Sequence, residues 1–144
     1  MIKSIISLIA ILVVFQACDH EQPDVWRNNI LYPSGKVKQM ESYIVESGDT
    51  VVTGQKVFHE NGQVYMEGKT LDNHRNGVWK TYYKDGVQWS ETSFKVGLTN
   101  GPTKTWYKNG KVRFTGFYTD GEKTGTWHWY DDKGELNKTI ELGE

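Results

Sequence analysis

The chain has 144 residues, with 17 Lys and Arg against 18 Asp and Glu, for a net charge of −1. Charges of both signs are interspersed, so no basic stripe points to nucleic acid. A single cysteine excludes both an intramolecular disulfide framework and a thiolate metal site.

The first element is the N-terminal segment. A short basic start, Met1-Ile2-Lys3, precedes a run from Ile5 to Phe15 that is apolar apart from Ser7, and Gln16-Ala17-Cys18 closes it. The run is too short to span a bilayer comfortably, which takes about twenty residues, and it fits the core of a secretory signal. Cys18 follows a small residue at the end of the apolar run, and it resembles the lipidation cysteine in the lipobox of bacterial lipoproteins. The other reading is an ordinary secretory signal that holds a cysteine near its cleavage site. The expected organisation is a signal peptide over residues 1–17, a lipid anchor and polar tether over 18–31, and a repeat domain over 32–144. Such a chain is held at the bacterial cell envelope by membrane lipid on Cys18. The acidic stretch after Cys18 resembles a surface-export signal of some Gram-negative groups, and Asp19 directly after the cysteine resembles an inner-membrane retention signal of others; the outer membrane or cell surface is expected ahead of the inner membrane.

Beyond the tether the sequence repeats. Gly62, Gly86, Gly110 and Gly134 stand at a period of 24, and Gly77, Gly101 and Gly125 keep the same step. Asn73, Gly97 and Gly121 form a third ladder at that step. A repeat of this length is a supersecondary unit that buries its apolar face by stacking on its neighbours. The pattern frays toward the N-terminus. A degenerate copy ends at Tyr32-Pro33-Ser34-Gly35, and the longer step to Gly62 predicts an insertion near Glu46 to Asp49.

Each glycine of the first ladder closes a turn signal: Asn61-Gly62, Asp85-Gly86 and Asn109-Gly110, with Lys133-Gly134 in the last copy. Type I′ hairpin turns, with positive φ at both central residues, are expected at the first three. The aligned Asn73, Gly97 and Gly121 predict left-handed backbone at one spot in each connecting loop. Between turns, segments such as Thr103–Lys108 and Lys111–Thr119 alternate and are rich in Thr, Val, Tyr, Phe and Trp, which suits pleated strands. Gly68 and Gly116 fall inside strands, where glycine marks a bulge or a ring lying across the backbone. The fold class is all-β: an elongated, twisted antiparallel sheet of tandem β-hairpins.

The runs Asn76-Gly-Val-Trp-Lys-Thr-Tyr-Tyr-Lys-Asp-Gly86 and Asn100-Gly-Pro-Thr-Lys-Thr-Trp-Tyr-Lys-Asn-Gly-Lys-Val112 resemble the bacterial variant of the MORN repeat. Repeats of this type are gathered in proteins labelled YwqK-family antitoxins. The resemblance implies an extended sheet of successive hairpins. It also implies a binding role, as an immunity-type partner that blocks a toxin or as an assembly scaffold.

Aromatic residues are the chemically prominent feature. Trp79, Tyr83, Tyr107, Trp127 and Trp129 are read as a stacking core. With two-residue turns, Phe58, Tyr82, Trp106 and Tyr130 fall on the opposite face with Tyr65 and Trp89, interleaved with Lys80, Lys104 and Arg113. Aromatic rings beside Arg and Lys on an open sheet compose a contact surface for protein or glycan. A one-residue error in turn length exchanges the faces. His20, His59, His74 and His128 lack metal-ligand spacing, with solvent the expected partner of His59 and His74, and no nucleophile motif or phosphate-cradling loop is present. The reading is a binding module, not an enzyme, with no cofactor. Its partner is a protein; the alternative is a structural or glycan-contact envelope lipoprotein that uses its exposed rings.

Overall fold

Glycine turns separating β-branched and aromatic segments give ten strands in the computed structural model, which describes residues 25–143. They are β1 (Val25–Leu31), β2 (Val37–Glu46), β3 (Asp49–Phe58), β4 (Val64–Leu71), β5 (His74–Tyr82), β6 (Gln88–Lys95), β7 (Leu98–Trp106), β8 (Val112–Thr119), β9 (Glu122–Tyr130) and β10 (Leu136–Leu142). All ten form one antiparallel sheet in chain order. Substantial packing joins only strands adjacent in sequence, as expected for a one-dimensional repeat. The expected all-β hairpin array is the observed fold. The signal peptide, Cys18 and the tether up to Asp24 lie outside the described residues.

The sheet starts earlier than the boundary expected at residue 32. Val25–Leu31 is a strand whose Trp26 pairs with Ser42, and Tyr32 and Gly35 close its hairpin through the same backbone bond as later copies. The degenerate first unit kept its turn while losing its strand pattern. The excess length before Gly62 also sits elsewhere than expected. The Ser47-Gly48 turn has two residues like its counterparts, and the additional residues lengthen β2 and β3, each 10 residues against 8 in β4 and 9 in β5.

The turns divide into two chemistries, one along each long edge. At the ladder-glycine edge only the glycine has positive φ (Gly62 89°, Gly86 85°, Gly110 81°, Gly134 89°). The glycine N–H bonds the carbonyl three residues back, as in Gly86 to Tyr83 at 2.9 Å, and the carbonyl after the glycine accepts from that same residue, as Val87 does from the Tyr83 N–H at 2.8 Å. These are type I turns with a glycine bulge, not the expected type I′ turns. Asn61, Asp85, Asn109 and Lys133 therefore need no left-handed backbone, which is why Lys serves in the last copy. Lys133-Gly134 closes as its counterparts do, with Gly134 N–H 3.0 Å from the Asp131 carbonyl.

The type I′ geometry occurs on the other edge. Positive φ falls on both residues of Ser47-Gly48, Asp72-Asn73, Val96-Gly97 and Asp120-Gly121. The expected left-handed spot is present at Asn73 (60°), Gly97 (88°) and Gly121 (94°). Val96 is out of keeping at φ 43°, because its branched Cβ opposes that conformation.

Among the described residues, Trp79 and Trp127 are the buried hydrophobic side chains, at 2% and 0% exposure. Each indole lies flat against a cross-strand glycine. A Cβ built on Gly68 would stand 2.4 Å from the Trp79 ring, and one on Gly116 would stand 2.2 Å from the Trp127 ring. The indole N–H groups are satisfied by the Lys69 carbonyl at 2.8 Å and the Thr124 carbonyl at 3.1 Å. The middle repeat replaces both partners at once. Thr92 stands at the glycine position and Thr103 at the tryptophan position, and their hydroxyls hydrogen-bond at 2.8 Å. A small pair thus substitutes for a glycine and a ring.

Candidate binding surface

Cross-strand neighbours share a face, so the registers sort the side chains. One face carries the row Gly68, Trp79, Thr92, Thr103, Gly116 and, beside it, Met66, Thr81, Ser90, Thr105, Phe114, Trp129. Its rings cluster at both ends of the threonine segment. Phe94 meets Trp79 edge-on at 6.4 Å, and Phe114 and Tyr118 stand 5.7 Å and 5.2 Å from Trp127. Arg75 lies over Trp79 at 4.7 Å and Lys123 over Trp127 at 4.4 Å. Between the ring clusters, the small Thr92–Thr103 pair leaves a groove of about 280 Å³ with a floor of hydroxyls. The buried Thr105 hydroxyl in this floor has no hydrogen-bond partner among the described residues.

The opposite face carries a charge ladder that no single strand reveals. Lys56, Glu67, Lys80, Glu91 and Lys104 pair in succession across β3 to β7, followed by Thr115, His128 and Thr139. Lys56 and Glu67 form an ion pair at 3.4 Å. The Tyr82 hydroxyl donates to Glu67 at 2.8 Å, and its pKa is pushed up to about 12, by burial first and then by this carboxylate. Lys104 lies over the Trp106 ring at 5.2 Å. Phe58, Tyr82, Trp106 and Tyr130 are half-buried at the ladder-glycine end of their strands.

The expected companions of these four rings are placed differently. Tyr65, Trp89 and Arg113 each occupy a β-bulge three residues beyond the turn glycine, where the register shifts beside Phe58, Tyr82 and Trp106. They lean to the groove face, where Tyr65 meets His59 at 5.0 Å, Trp89 meets Tyr83 at 6.1 Å and Arg113 covers Tyr107 at 5.8 Å. Trp89 also lines the groove. The extra bulge residue turns these side chains over, because side-chain direction has period two. Lys80 and Lys104 keep the expected face.

A further set of side chains escaped sequence reasoning. The residue three before Gly35, Gly62, Gly86 and Gly110 reaches into the next hairpin. The Tyr32 hydroxyl donates to the Phe58 carbonyl at 2.6 Å, Tyr83 to Trp106 at 3.2 Å and Tyr107 to Tyr130 at 2.9 Å. A ring nitrogen of His59 bonds the Tyr82 carbonyl at 3.0 Å, so His59 is not merely solvated. His74 likewise bonds the Asp72 carbonyl, at 2.6 Å. Asn61 to Lys84, Asn109 to Asp132 and the Lys108–Asp85 ion pair at 3.0 Å join successive turns. The period itself was the available signal, since Tyr32, His59, Tyr83 and Tyr107 are hydrogen-bonding residues at one position of the unit.

Three stretches of the chain, residues 55–73, 75–95 and 99–120, match the family model of the MORN repeat variant. They cover successive hairpin units between β3 and β8. A solved structure, the crystal structure of TarM, is similar at 17% identity and a TM-score of 0.42. The match covers 73% of this chain and 20% of TarM, so this chain spans about a fifth of its length, and a likeness so distant carries no argument. No curated protein matches the chain.

Proposed function

We propose that this chain is an envelope-anchored repeat lipoprotein whose sheet is a protein-binding module, of the kind that serves an antitoxin or immunity role. One observation carries the reading: among the described residues, ten strands form a single layer with no second layer over either face. A layer of this kind buries two tryptophans and leaves large apolar side chains such as Val78, Trp89 and Phe117 exposed. Surfaces that combine rings with charges of both signs suit protein recognition, because the rings supply contact area and the charges set register. The working face is the one that holds Phe58, Tyr82, Trp106 and Tyr130 beside the charge ladder. The three MORN-variant repeats support a repeat binding role. Anchoring runs through acyl chains on Cys18, each buried methylene contributing about 0.8 kcal/mol.

The alternative partner, a glycan, is favoured by the opposite face alone, where ring clusters flank a hydroxyl-floored groove. Pull-down from detergent-solubilised envelope separates the two. Trp106→Ala is expected to lower capture of a protein while leaving the melting temperature near wild type. A collapse of stability would make Trp106 a core residue and remove this face from the proposal. Mass spectrometry of the N-terminus tests the anchor: an unmodified Cys18, or a chain starting elsewhere, contradicts it.

A further inference from the structure

The charge ladder stops one step short of its own pattern. Positions 67 and 91 hold Glu, and the next position at the period, 115, holds Thr. Lys56 and Lys80 accordingly face a cross-strand glutamate, and Lys104 faces Glu91 on one side but Thr115 on the other. Tyr130 stands toward Thr115 as Tyr82 stands toward Glu67, where the hydroxyl donates to the carboxylate at 2.8 Å. The phenol at this end of the sheet faces a residue that offers no carboxylate.

Two further replacements change the charge of the same place. Position 111 holds Lys where positions 63 and 87 hold Gln and Val. Position 133 holds Lys where positions 61, 85 and 109 hold Asn, Asp and Asn. These three departures line one cavity of about 360 Å³ with Lys104, Val112 and Tyr130, whereas the acids by which the last turn also departs from the repeat, Asp131, Asp132 and Glu135, do not line it. No carboxylate among the described residues lines it. Of the acids in this turn, Asp131 is engaged by the backbone N–H groups of Lys133 and Glu135 at 2.9 and 2.8 Å.

We infer that the cavity formed by Lys104, Lys111, Lys133, Thr115 and Tyr130 is an anion site that takes a carboxylate from outside, the side chain of an acidic segment on the protein partner. The external carboxylate occupies the place that Glu67 and Glu91 fill within the chain, beside a cross-strand lysine and below a ring four residues before the turn glycine. Lysines from the two adjoining turns add the charge that desolvates it favourably. A carboxylate is favoured over phosphate because the repeat builds this row around carboxylates. The inference rests on the binding-module reading only for the source of the carboxylate.

The test uses the full-length protein in detergent, titrated by calorimetry with a tri-glutamate peptide and, separately, with inorganic phosphate. Wild type is expected to bind the peptide more tightly than phosphate. Lys133→Asn and Lys111→Gln, each restoring a residue the repeat already uses, are expected to weaken peptide binding about tenfold, the factor of one charge-assisted contact. Thr115→Glu fills the site from within and is expected to abolish binding, and an unchanged circular dichroism spectrum will show that the fold is kept. Should that variant misfold, the two lysine substitutions decide. Binding of the peptide unaffected by all three changes overturns the site, and so does phosphate binding as tight as the peptide. A partner captured equally by wild type and Thr115→Glu overturns it too, while leaving the module reading in place.

Discussion

The Gly–Trp and Thr–Thr pairs predict a specific non-additivity. In Thr103→Trp, the new indole meets Thr92 where Trp79 and Trp127 each meet a glycine. A Cβ alone at those glycines would stand 2.4 and 2.2 Å from the rings. Overpacking of this kind costs about 1–3 kcal/mol, and the lost Thr92–Thr103 hydrogen bond adds about 1 kcal/mol. In Thr92→Gly, that hydrogen bond and strand rigidity are lost together, for about 1.5–2 kcal/mol. The double variant rebuilds the arrangement of the flanking repeats and regains about 1.5–3 kcal/mol from burial of a large apolar side chain. It is therefore expected to be more stable than the sum of the single changes by about 2 kcal/mol, within the range seen for contacting residues. Urea denaturation of the four proteins measures this coupling, with equal slopes showing that the same surface unfolds. Additive single changes would refute the pairing, because they would mean that the indole does not need the glycine beneath it.

Three other outcomes follow from the turns and the ladder. Gly110→Val is expected to lose about 1–2 kcal/mol from its left-handed φ of 81°. Gly110→Asn should be nearly neutral, and thermal melts that show no ranking would contradict the glycine-bulge turn. Val96→Asn should raise the melting temperature, because Asn accepts the φ of 43° that Val resists; a lower melting temperature would show that the valine contributes contacts worth more than its strain. Tyr82 is expected to ionise near pH 12, later than an ordinary phenol at pH 10. Its raised pKa gives stability that is complete below pH 10 and is lost as pH rises through 12. Difference absorbance at 295 nm between wild type and Tyr82→Phe reads the midpoint, which Glu67→Gln should lower. An unmoved midpoint would leave burial as the whole cause.

The period-24 glycines, the alternating strands and the left-handed spot at Asn73, Gly97 and Gly121 were all legible in the chain, because each is a local requirement written in consecutive residues. Gly68 and Gly116 also declared themselves, since glycine inside a strand has few reasons other than a bulge or a ring across it. The turn type was not legible. Asp-Gly and Asn-Gly suit both a type I′ turn and a type I turn with a glycine bulge, and the choice depends on how both flanking strands twist. That choice moved Tyr65, Trp89 and Arg113 to the face opposite Phe58, Tyr82 and Trp106, because one extra residue in a strand inverts a period-two pattern. The Lys–Glu ladder and the lysine-lined cavity at its end belong to the tertiary structure for a different reason. Their members lie on separate strands and turns, and only the register between strands brings Lys104, Thr115, Lys111 and Lys133 to one place.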